Sequence, residues 1–234
     1  MLAGTEGAAP VRGILGLDEA GRGSALGPLV VGGFLWTGPA PEAEERLRSV
    51  GVRDSKQLSP KERERIALVL RELGRLATAR AEPPTIDRHV DQGQLNELEL
   101  SLMAGLVGAL RPQEVVVDAC DPDAARFGRK LSARCRAAGV GVKVRSSHRA
   151  DELFAVVGAA SIVAKVGRDA AVRELQARSP LPLGSGYPSD PETRRYLGRC
   201  LAEKAPLPPW IRRSWKTLTR IKSGQGVSAL EEYR

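Results

Sequence analysis

The segment Ile14-Leu15-Gly16-Leu17-Asp18-Glu19-Ala20-Gly21-Arg22-Gly23 places two adjacent acids directly after an apolar run and before an arginine between two glycines. Burying carboxylates beside Leu17 costs several kcal/mol unless a cation or hydrogen-bond donors compensate, and a divalent metal is the usual compensation for clustered acids. The glycines would let backbone amides approach a bulky anion. A solvated turn explains the same residues about equally well, because both motifs are common in loops without a ligand.

Composition limits the classes of function. The chain has 234 residues, and 36 Lys and Arg against 28 Asp and Glu give a net charge of +8. This excess predicts a polyanionic partner, with a solvated basic surface as the alternative. No uncharged apolar run is long enough to span a membrane, and Met1 to Pro10 is predicted to be disordered rather than a leader. We expect a cytoplasmic monomer.

The cysteines and histidines argue against a zinc site. Cys120, Cys135 and Cys200 lack zinc-ligand spacing and are read as reduced thiols. Only His89 and His148 are available as imidazole ligands. A bound metal is therefore expected to have oxygen ligands.

Apolar periodicity predicts an α/β fold with a sheet of mixed direction. A serine cap, a first-turn proline and a returning glutamate at Ser59-Pro60-Lys61-Glu62 mark one helix start. The predicted strands are Val11–Asp18, Pro28–Trp36, Leu76–Ala81, Glu114–Asp118 and Val140–Val144. The other predicted helices are Leu95–Leu110, one capped by Asp121-Pro122 and ending near Ala138, and one from Asp151 to about Arg178.

Two further acids stand out by position. Asp118 ends a strand expected near the sheet centre, where ligands bind in open α/β sheets. Asp151 begins a helix, and by itself it is better explained as a cap or first-turn acid. The four acids converge only if the first strand neighbours the strand containing Val115.

Five motifs follow one another along the chain: Asp18 to Gly23, Asp54-Ser55-Lys56, Val117-Asp118-Ala119, Arg149-Ala150-Asp151 with Ala159 to Lys165, and Gly186-Tyr187-Pro188-Ser189-Asp190. In this order they resemble ribonuclease HII, in a variant more like archaeal than bacterial members. The resemblance extends from Gly13 to about Ile221, and Ser214-Trp215-Lys216-Thr217 adds to its archaeal character. Matching motifs in the correct order are far more specific than any one of them.

The resemblance implies an RNase H-like fold with a helical C-terminal extension. Residues 11–180 would form the catalytic domain and residues 181–234 the substrate-binding extension and tail. It also implies endonucleolytic cleavage of RNA paired with DNA or embedded in duplex DNA. The implied metal-binding catalytic acids are Asp18, Glu19, Asp118 and Asp151; the implied sensor of the ribose 2′-hydroxyl is Gly21-Arg22-Gly23 with Tyr187.

The residue types suit two Mg²⁺ or Mn²⁺ ions, because carboxylates supply oxygen ligands and substrate phosphate can complete the coordination. In a regular strand Asp18 and Glu19 would point to opposite faces. Either the backbone departs from strand geometry there, or the two acids reach the metals differently. Direct ligation is the firmer expectation for Asp18.

Basic residues suggest where nucleic acid binds. Ala124 to Ala150 holds eight Lys or Arg and no acid, which suits a phosphate backbone or a solvated helix face. Lys56 is a candidate phosphate contact, with an ordinary exposed lysine as the alternative. In the tail, Trp210 and Trp215 either stack on bases or anchor the tail to the core; the basic residues around them are Arg212, Arg213, Lys216, Arg220 and Lys222.

Two other functions remain open at this point. One is a non-catalytic nucleic-acid-binding domain whose acids serve only as caps and turns. The other is an enzyme like ribonuclease HIII, which carries a separate N-terminal substrate-binding domain; with only a few residues before Val11, we expect no such domain here.

Overall fold

A mixed sheet forms the centre of the molecule in the computed structural model, which describes residues 11–53, 55–203, 206–214 and 218. The strands are β1 Val11–Ala20, β2 Leu29–Trp36, β3 Gly74–Ala81, β4 Pro112–Asp118 and β5 Lys143–Ser147. In the described part of the chain their order is β3-β2-β1-β4-β5. β1 is antiparallel to β2 and parallel to β4, which is itself parallel to β5. The predicted α/β fold with a mixed sheet is thus confirmed.

Helices cover both faces of the sheet. They are α1 Ala43–Ser49, α2 Pro60–Leu73, α3 Pro83–Asp91, α4 Leu95–Leu110, α5 Ala124–Ala137, α6 Ala150–Leu153, α7 Ala155–Arg178 and α8 Pro191–Ala202. One apolar layer joins α1, α2 and α7 to the sheet, and the other joins α4 and α5 to its opposite face. The capping box at Ser59 is present, with Glu62 returning the bond to the cap. The predicted bounds of α4 match the structure.

Small residues let α7 lie directly on β1 and β2. A Cβ at Gly16 would collide with the carbonyl oxygen of Val156, and one at Gly32 would collide with that of Ala160. The helix is buried from Ala155 to Ala164, as its composition predicts. This close approach brings α7 within reach of side chains that leave the same face of β1, including that of Asp18.

Besides shifts of one or two residues at the ends of β1, β2, β3 and β4, three predicted boundaries are wrong. The strand expected at Val140–Val144 begins at Lys143, because the Val140 N–H still bonds the carbonyl of Cys135 in the turn that ends α5. α5 is capped by Asp123, which accepts from the Arg126 N–H. Asp121 instead accepts from the Asp123 N–H.

The third wrong boundary concerns the helix expected to run unbroken from Asp151. Phe154 has extended backbone angles, φ −127° and ψ 118°, and separates α6 from α7. The Ala155 N–H is bonded to Glu44 Oε2 of α1, so a carboxylate satisfies the new helix start. Asp151 therefore lies on a separate short helix.

Candidate active site

Asp18 lies near the end of β1, and its side chain is only 5 % exposed. Burial raises the pKa of Asp18 to about 6; the nearby negative charge of Asp118 adds to the rise, whereas a hydrogen bond from Ser161 and the charge of Lys165 oppose it. Asp18 Oδ1 also accepts from the Glu19 N–H at 2.8 Å. The sheet thus holds a buried carboxyl group whose charged form needs a cation.

Asp118 lies beside Asp18 because Leu17 and Val117 are paired in the parallel β1–β4 register. The condition for the acids to converge, that the first strand neighbours the strand containing Val115, is therefore met. Asp118 Oδ1 accepts from the Ala150 N–H at 2.8 Å, which ties the end of β4 to the start of α6. Burial raises the pKa of Asp118, and the charge of Asp151 contributes to the rise.

Asp151 is 4 % exposed on α6. Lys56 Nζ lies 3.9 Å from Asp151 Oδ2, while the Lys56 side chain remains 68 % exposed. The structure therefore brings Lys56 to the acids and leaves much of it accessible. Asp54, in the same sequence motif, lies outside the described residues.

Glu19 points to the opposite face of the sheet. β1 stays regular through Ala20, with Glu19 paired to Val31, so the first alternative, a departure from strand geometry, is wrong. The two acids lie on different faces, which leaves the second alternative, that they reach the metals differently. Burial raises the pKa of Glu19 well above its usual value, with further contributions from Asp18, Glu99 and Asp118, opposed by Arg22. Within the described chain, Glu19 Oε2 is buried without a hydrogen-bond partner.

A lysine and two serines line the α7 side of the acids. Lys165 Nζ donates to Ser55 Oγ at 2.6 Å and to Ser161 Oγ at 2.7 Å, and the two hydroxyl oxygens lie 2.9 Å apart. Burial lowers the pKa of Lys165, while the charges of Asp18 and Asp151 oppose this effect. Sequence reasoning assigned no role to Ser161 or Lys165, although two polar residues four apart in an apolar helix were a usable signal.

The Gly21–Gly23 loop lies against the segment that contains Tyr187. The N–H groups of Ala25 and Leu26 both donate to the Gly186 carbonyl, at 2.8 and 3.2 Å. A Cβ added to Gly23 would meet no atom within 4 Å, so the backbone there is open to an approaching molecule. The structure thus brings together the loop and the tyrosine that the resemblance linked.

Arg22 turns away from that opening. Its guanidinium forms an ion pair with the fully buried Glu99 of α4, and its Nη2 donates to Asn96 Oδ1 at 2.7 Å. The backbone of the loop, rather than the arginine side chain, is therefore the part presented outward. Sequence reasoning missed both Asn96 and Glu99, which it read only as part of an amphipathic helix.

Arg212 and Trp210, in the described part of the tail, both contact other parts of the protein. Arg212 is fully buried, with Nε donating to the Gly27 carbonyl at 3.0 Å and Nη1 to the Arg22 carbonyl at 3.1 Å. Trp210 Nε1 donates to Tyr196 Oη at 2.9 Å, and its ring joins the apolar cluster around α8. Arg212 thus does not face nucleic acid, and Trp210 anchors the tail. Trp215, Lys216, Arg220 and Lys222 lie outside the described residues.

The basic segment between Ala124 and Ala150 is largely engaged with acids. Lys130 and Arg134 pair with Glu97 at 2.6 and 2.5 Å. Other pairs join Arg126 to Asp121, Arg145 to Glu114 and Arg149 to Glu152. These contacts favour the alternative of a solvated, ion-paired helix face over a dedicated phosphate surface.

The four expected acids offer the carboxylate oxygens that divalent ions prefer, but they do not surround an ion on their own. Asp18 interacts with Asp118, Asp118 with Asp151, and Glu19 with both Asp18 and Asp118. In the described part of the chain, no three His, Cys, Asp or Glu side chains are gathered closely enough to hold a metal as they stand. The donor set still suits Mg²⁺, which commonly takes one or two carboxylates and completes its shell with water and substrate phosphate.

Comparison with known proteins agrees with this arrangement. The family model for ribonuclease HII matches residues 15–218. The chain belongs to the ribonuclease HII family. Ribonuclease HII of Methanocella arvoryzae is 38 % identical over 213 residues, covering 89 % of this chain and 91 % of that protein. Ribonuclease HII of Thermococcus kodakarensis is 40 % identical over 211 residues, covering 89 % of each chain.

Solved ribonuclease HII structures share the fold. Ribonuclease H2 of Pyrococcus horikoshii superimposes with a TM-score of 0.80 at 35 % identity, covering 91 % of this chain and 98 % of that one. Ribonuclease HII of Archaeoglobus fulgidus, solved in a complex with PCNA, gives 0.79 at 34 % identity, covering 89 % and 96 %. Bst-RNase HIII in complex with Mn²⁺ is 21 % identical with a TM-score of 0.74, which shows a shared fold only. The RNase H-like fold is thus confirmed, and ribonuclease HII enzymes act on RNA/DNA hybrids.

No helix in the described part of the chain combines the length and apolar character needed to cross a membrane.

Proposed function

We propose that this chain is an endoribonuclease that hydrolyses the RNA strand of RNA/DNA hybrids and cuts on the 5′ side of a single ribonucleotide in duplex DNA. The observation that carries the proposal is that Asp18 and Asp118 directly follow Leu17 and Val117, which are paired in adjacent parallel strands, while Asp118 is bonded to the Ala150 N–H beside Asp151. Family membership supports ribonuclease H activity, and the strand ends form the crevice where ligands bind in such sheets.

Asp18, Glu19, Asp118 and Asp151 would hold two Mg²⁺ or Mn²⁺ ions. When bound, the ions would activate water and stabilise the departing 3′ oxygen. The raised pKa of the buried Asp18 carboxyl and the unsatisfied Glu19 Oε2 support this assignment, because a bound cation would stabilise the charged form of each buried acid. Lys165 would keep Asp18 charged and aligned when the ions are absent.

Recognition of the ribonucleotide would fall to the open backbone near Gly23 and to Tyr187. Only the 2′-hydroxyl distinguishes a ribonucleotide from its neighbours in DNA, and a backbone free of side chains can hydrogen-bond it. Tyr187 would pack on the adjoining sugar, and Lys56 would contact a phosphate near Asp151. Cleavage would leave a 3′-hydroxyl and a 5′-phosphate that begins with the ribonucleotide.

The test is a 5′-labelled DNA duplex with one ribonucleotide, incubated with Mg²⁺, Mn²⁺ or EDTA. We expect a nick directly 5′ of the ribonucleotide with either metal and none in EDTA. An all-DNA duplex of the same sequence is the matched substrate control, and Asp118→Asn is the matched protein control. Binding without a nick would favour a non-catalytic nucleic-acid-binding domain, and a nick on the 3′ side would refute the proposed polarity.

The contribution of Tyr187 is tested with matched duplexes that carry one or four consecutive ribonucleotides. Tyr187→Ala should reduce cutting at the single ribonucleotide much more than it reduces duplex binding or cutting of the longer run. Equal losses on both substrates would refute its role in sensing the junction.

A further inference from the structure

A buried arginine on α7 lies between the two loops of the proposed junction sensor. Arg168 is 3 % exposed, and its Nη2 donates to Ser24 Oγ at 2.9 Å and to the Ser185 carbonyl at 2.6 Å. Its guanidinium carbon lies 4.2 Å from the centroid of the Tyr187 ring. One side chain therefore contacts the loop after Gly21 and the loop that carries Tyr187.

The glycines of both loops pack against this guanidinium. A Cβ on Gly21 would lie 2.9 Å from Arg168 Nε, and one on Gly186 would lie 2.9 Å from Arg168 Nη2. Both glycines have positive φ, 85° and 81°, so each loop turns sharply where it meets the arginine. The plane of the guanidinium thus fills the space between two backbones.

Stability alone gives little reason for a charge at this position. Asp169 forms only a loose ion pair with it, with Oδ1 lying 3.8 Å from Arg168 Nη1. Burial lowers the pKa of Arg168, and within the described chain its Nε is buried without a hydrogen-bond partner. Well-packed apolar residues often replace buried charges at no cost in stability. The presence of an arginine here is therefore better explained by the geometry of its planar guanidinium, which forms hydrogen bonds to more than one acceptor.

We propose that Arg168 is a positioning residue that fixes the distance and orientation of the Tyr187 ring relative to the Gly21–Gly23 backbone, and so sets the preference of the enzyme for a single ribonucleotide. This inference rests on the proposed function of the two loops. Arg168 acts through Tyr187 and the loop backbone, not through the substrate. Lysine cannot replace it, because an ammonium lacks the planar fork that stacks on the ring and bonds two acceptors.

The experiment measures kcat and KM for matched duplexes with one and with four ribonucleotides. The relevant ratio is kcat/KM for the duplex with one ribonucleotide divided by kcat/KM for the duplex with four. Arg168→Lys should lower this ratio by about tenfold, because the stacking and one charged hydrogen bond are lost. The control is Arg173→Lys on the same helix, whose arginine is exposed and pairs with Glu64 at 2.8 Å. It should leave the ratio unchanged.

A double-mutant cycle separates positioning from general destabilisation. If Arg168 acts through Tyr187, then Arg168→Lys should change the ratio by less than about twofold in a Tyr187→Ala background. If Arg168→Lys does not fold, Ser24→Ala becomes the deciding variant, and its ratio should fall about threefold with one hydrogen bond removed.

Equal losses on both substrates, or equal effects of Arg168→Lys with and without Tyr187, would overturn the inference. An unchanged ratio in Ser24→Ala would overturn it when that variant is decisive. These outcomes leave the proposed function intact, whereas a wild-type enzyme that does not cut at a single ribonucleotide refutes the proposed function itself.

Discussion

Replacing Asp18 with asparagine should stabilise the metal-free protein at neutral pH while abolishing cleavage. Asparagine keeps the shape of the protonated acid and removes a charge that burial disfavours. The rise in the Asp18 pKa from 3.8 to about 6, at about 1.4 kcal/mol per pKa unit, corresponds to about 3 kcal/mol of destabilisation. Asp18→Asn should recover up to that amount at pH 7.5.

The pH dependence has a definite sign. Between pH 3.8 and about 6 the folded state binds more protons than the unfolded state, so stability falls as pH rises through that window. Above about pH 6, the destabilisation caused by the charged Asp18 carboxylate reaches its full value. The advantage of Asp18→Asn should therefore be largest above pH 7, shrink to roughly half near pH 5, and vanish under more acidic conditions.

Urea unfolding in EDTA at pH 7.5 and pH 5 measures both effects. The control is Asp169→Asn, which breaks a 2.9 Å ion pair with Arg63 and should destabilise modestly. Added Mg²⁺ should then stabilise the wild type but not Asp18→Asn, since only the native site binds the ion. If Asp18→Asn proves less stable than the wild type by about 1 kcal/mol or more at pH 7.5, the burial argument is wrong.

Three further predictions concern the site. Asp118→Asn and Asp151→Asn should fold normally yet lose nearly all cleavage, as measured by single-turnover assays beside circular dichroism; activity within a few-fold of wild type would contradict the proposed site. Gly16→Ala should destabilise by about 3 kcal/mol or more, because its Cβ collides with the Val156 carbonyl of α7, and a denaturation curve matching the wild type would contradict that packing. Lys56→Met should raise KM and reduce the salt slope of binding by about 1, whereas an unchanged slope would contradict a phosphate contact.

Local sequence signals predicted much of the sheet and its acids. The apolar run before Asp18, the β-branched run before Asp118 and the capping box at Ser59 each depend on neighbours in sequence, and each appears in the structure. The break at Phe154 could not be predicted in this way. Its new helix start is satisfied by Glu44, a residue 111 positions away, and no local pattern reveals such a partner.

The same limit applies to the site. The family resemblance identifies Gly21, Gly23 and Tyr187, but Arg168 between their loops lies on a helix whose sequence pattern indicates only an apolar, buried element. Arg212 is the clearest case, because a basic residue near tryptophans suggests nucleic acid, whereas the structure buries it. Its structural role could not be predicted locally, because its acceptors, the carbonyls of Gly27 and Arg22, lie 185 and 190 positions away in the sequence.

The burial of Arg212 also bears on how the protein is synthesised. The carbonyls of Gly27 and Arg22 emerge from the ribosome early, but the guanidinium that holds them is added nearly 190 residues later. Because β1 and β4 are both synthesised before Arg212, the strands that carry Asp18 and Asp118 can pair before the loop beside them is secured. A nascent chain therefore carries these acids well before Arg212 can hold the loop beside them.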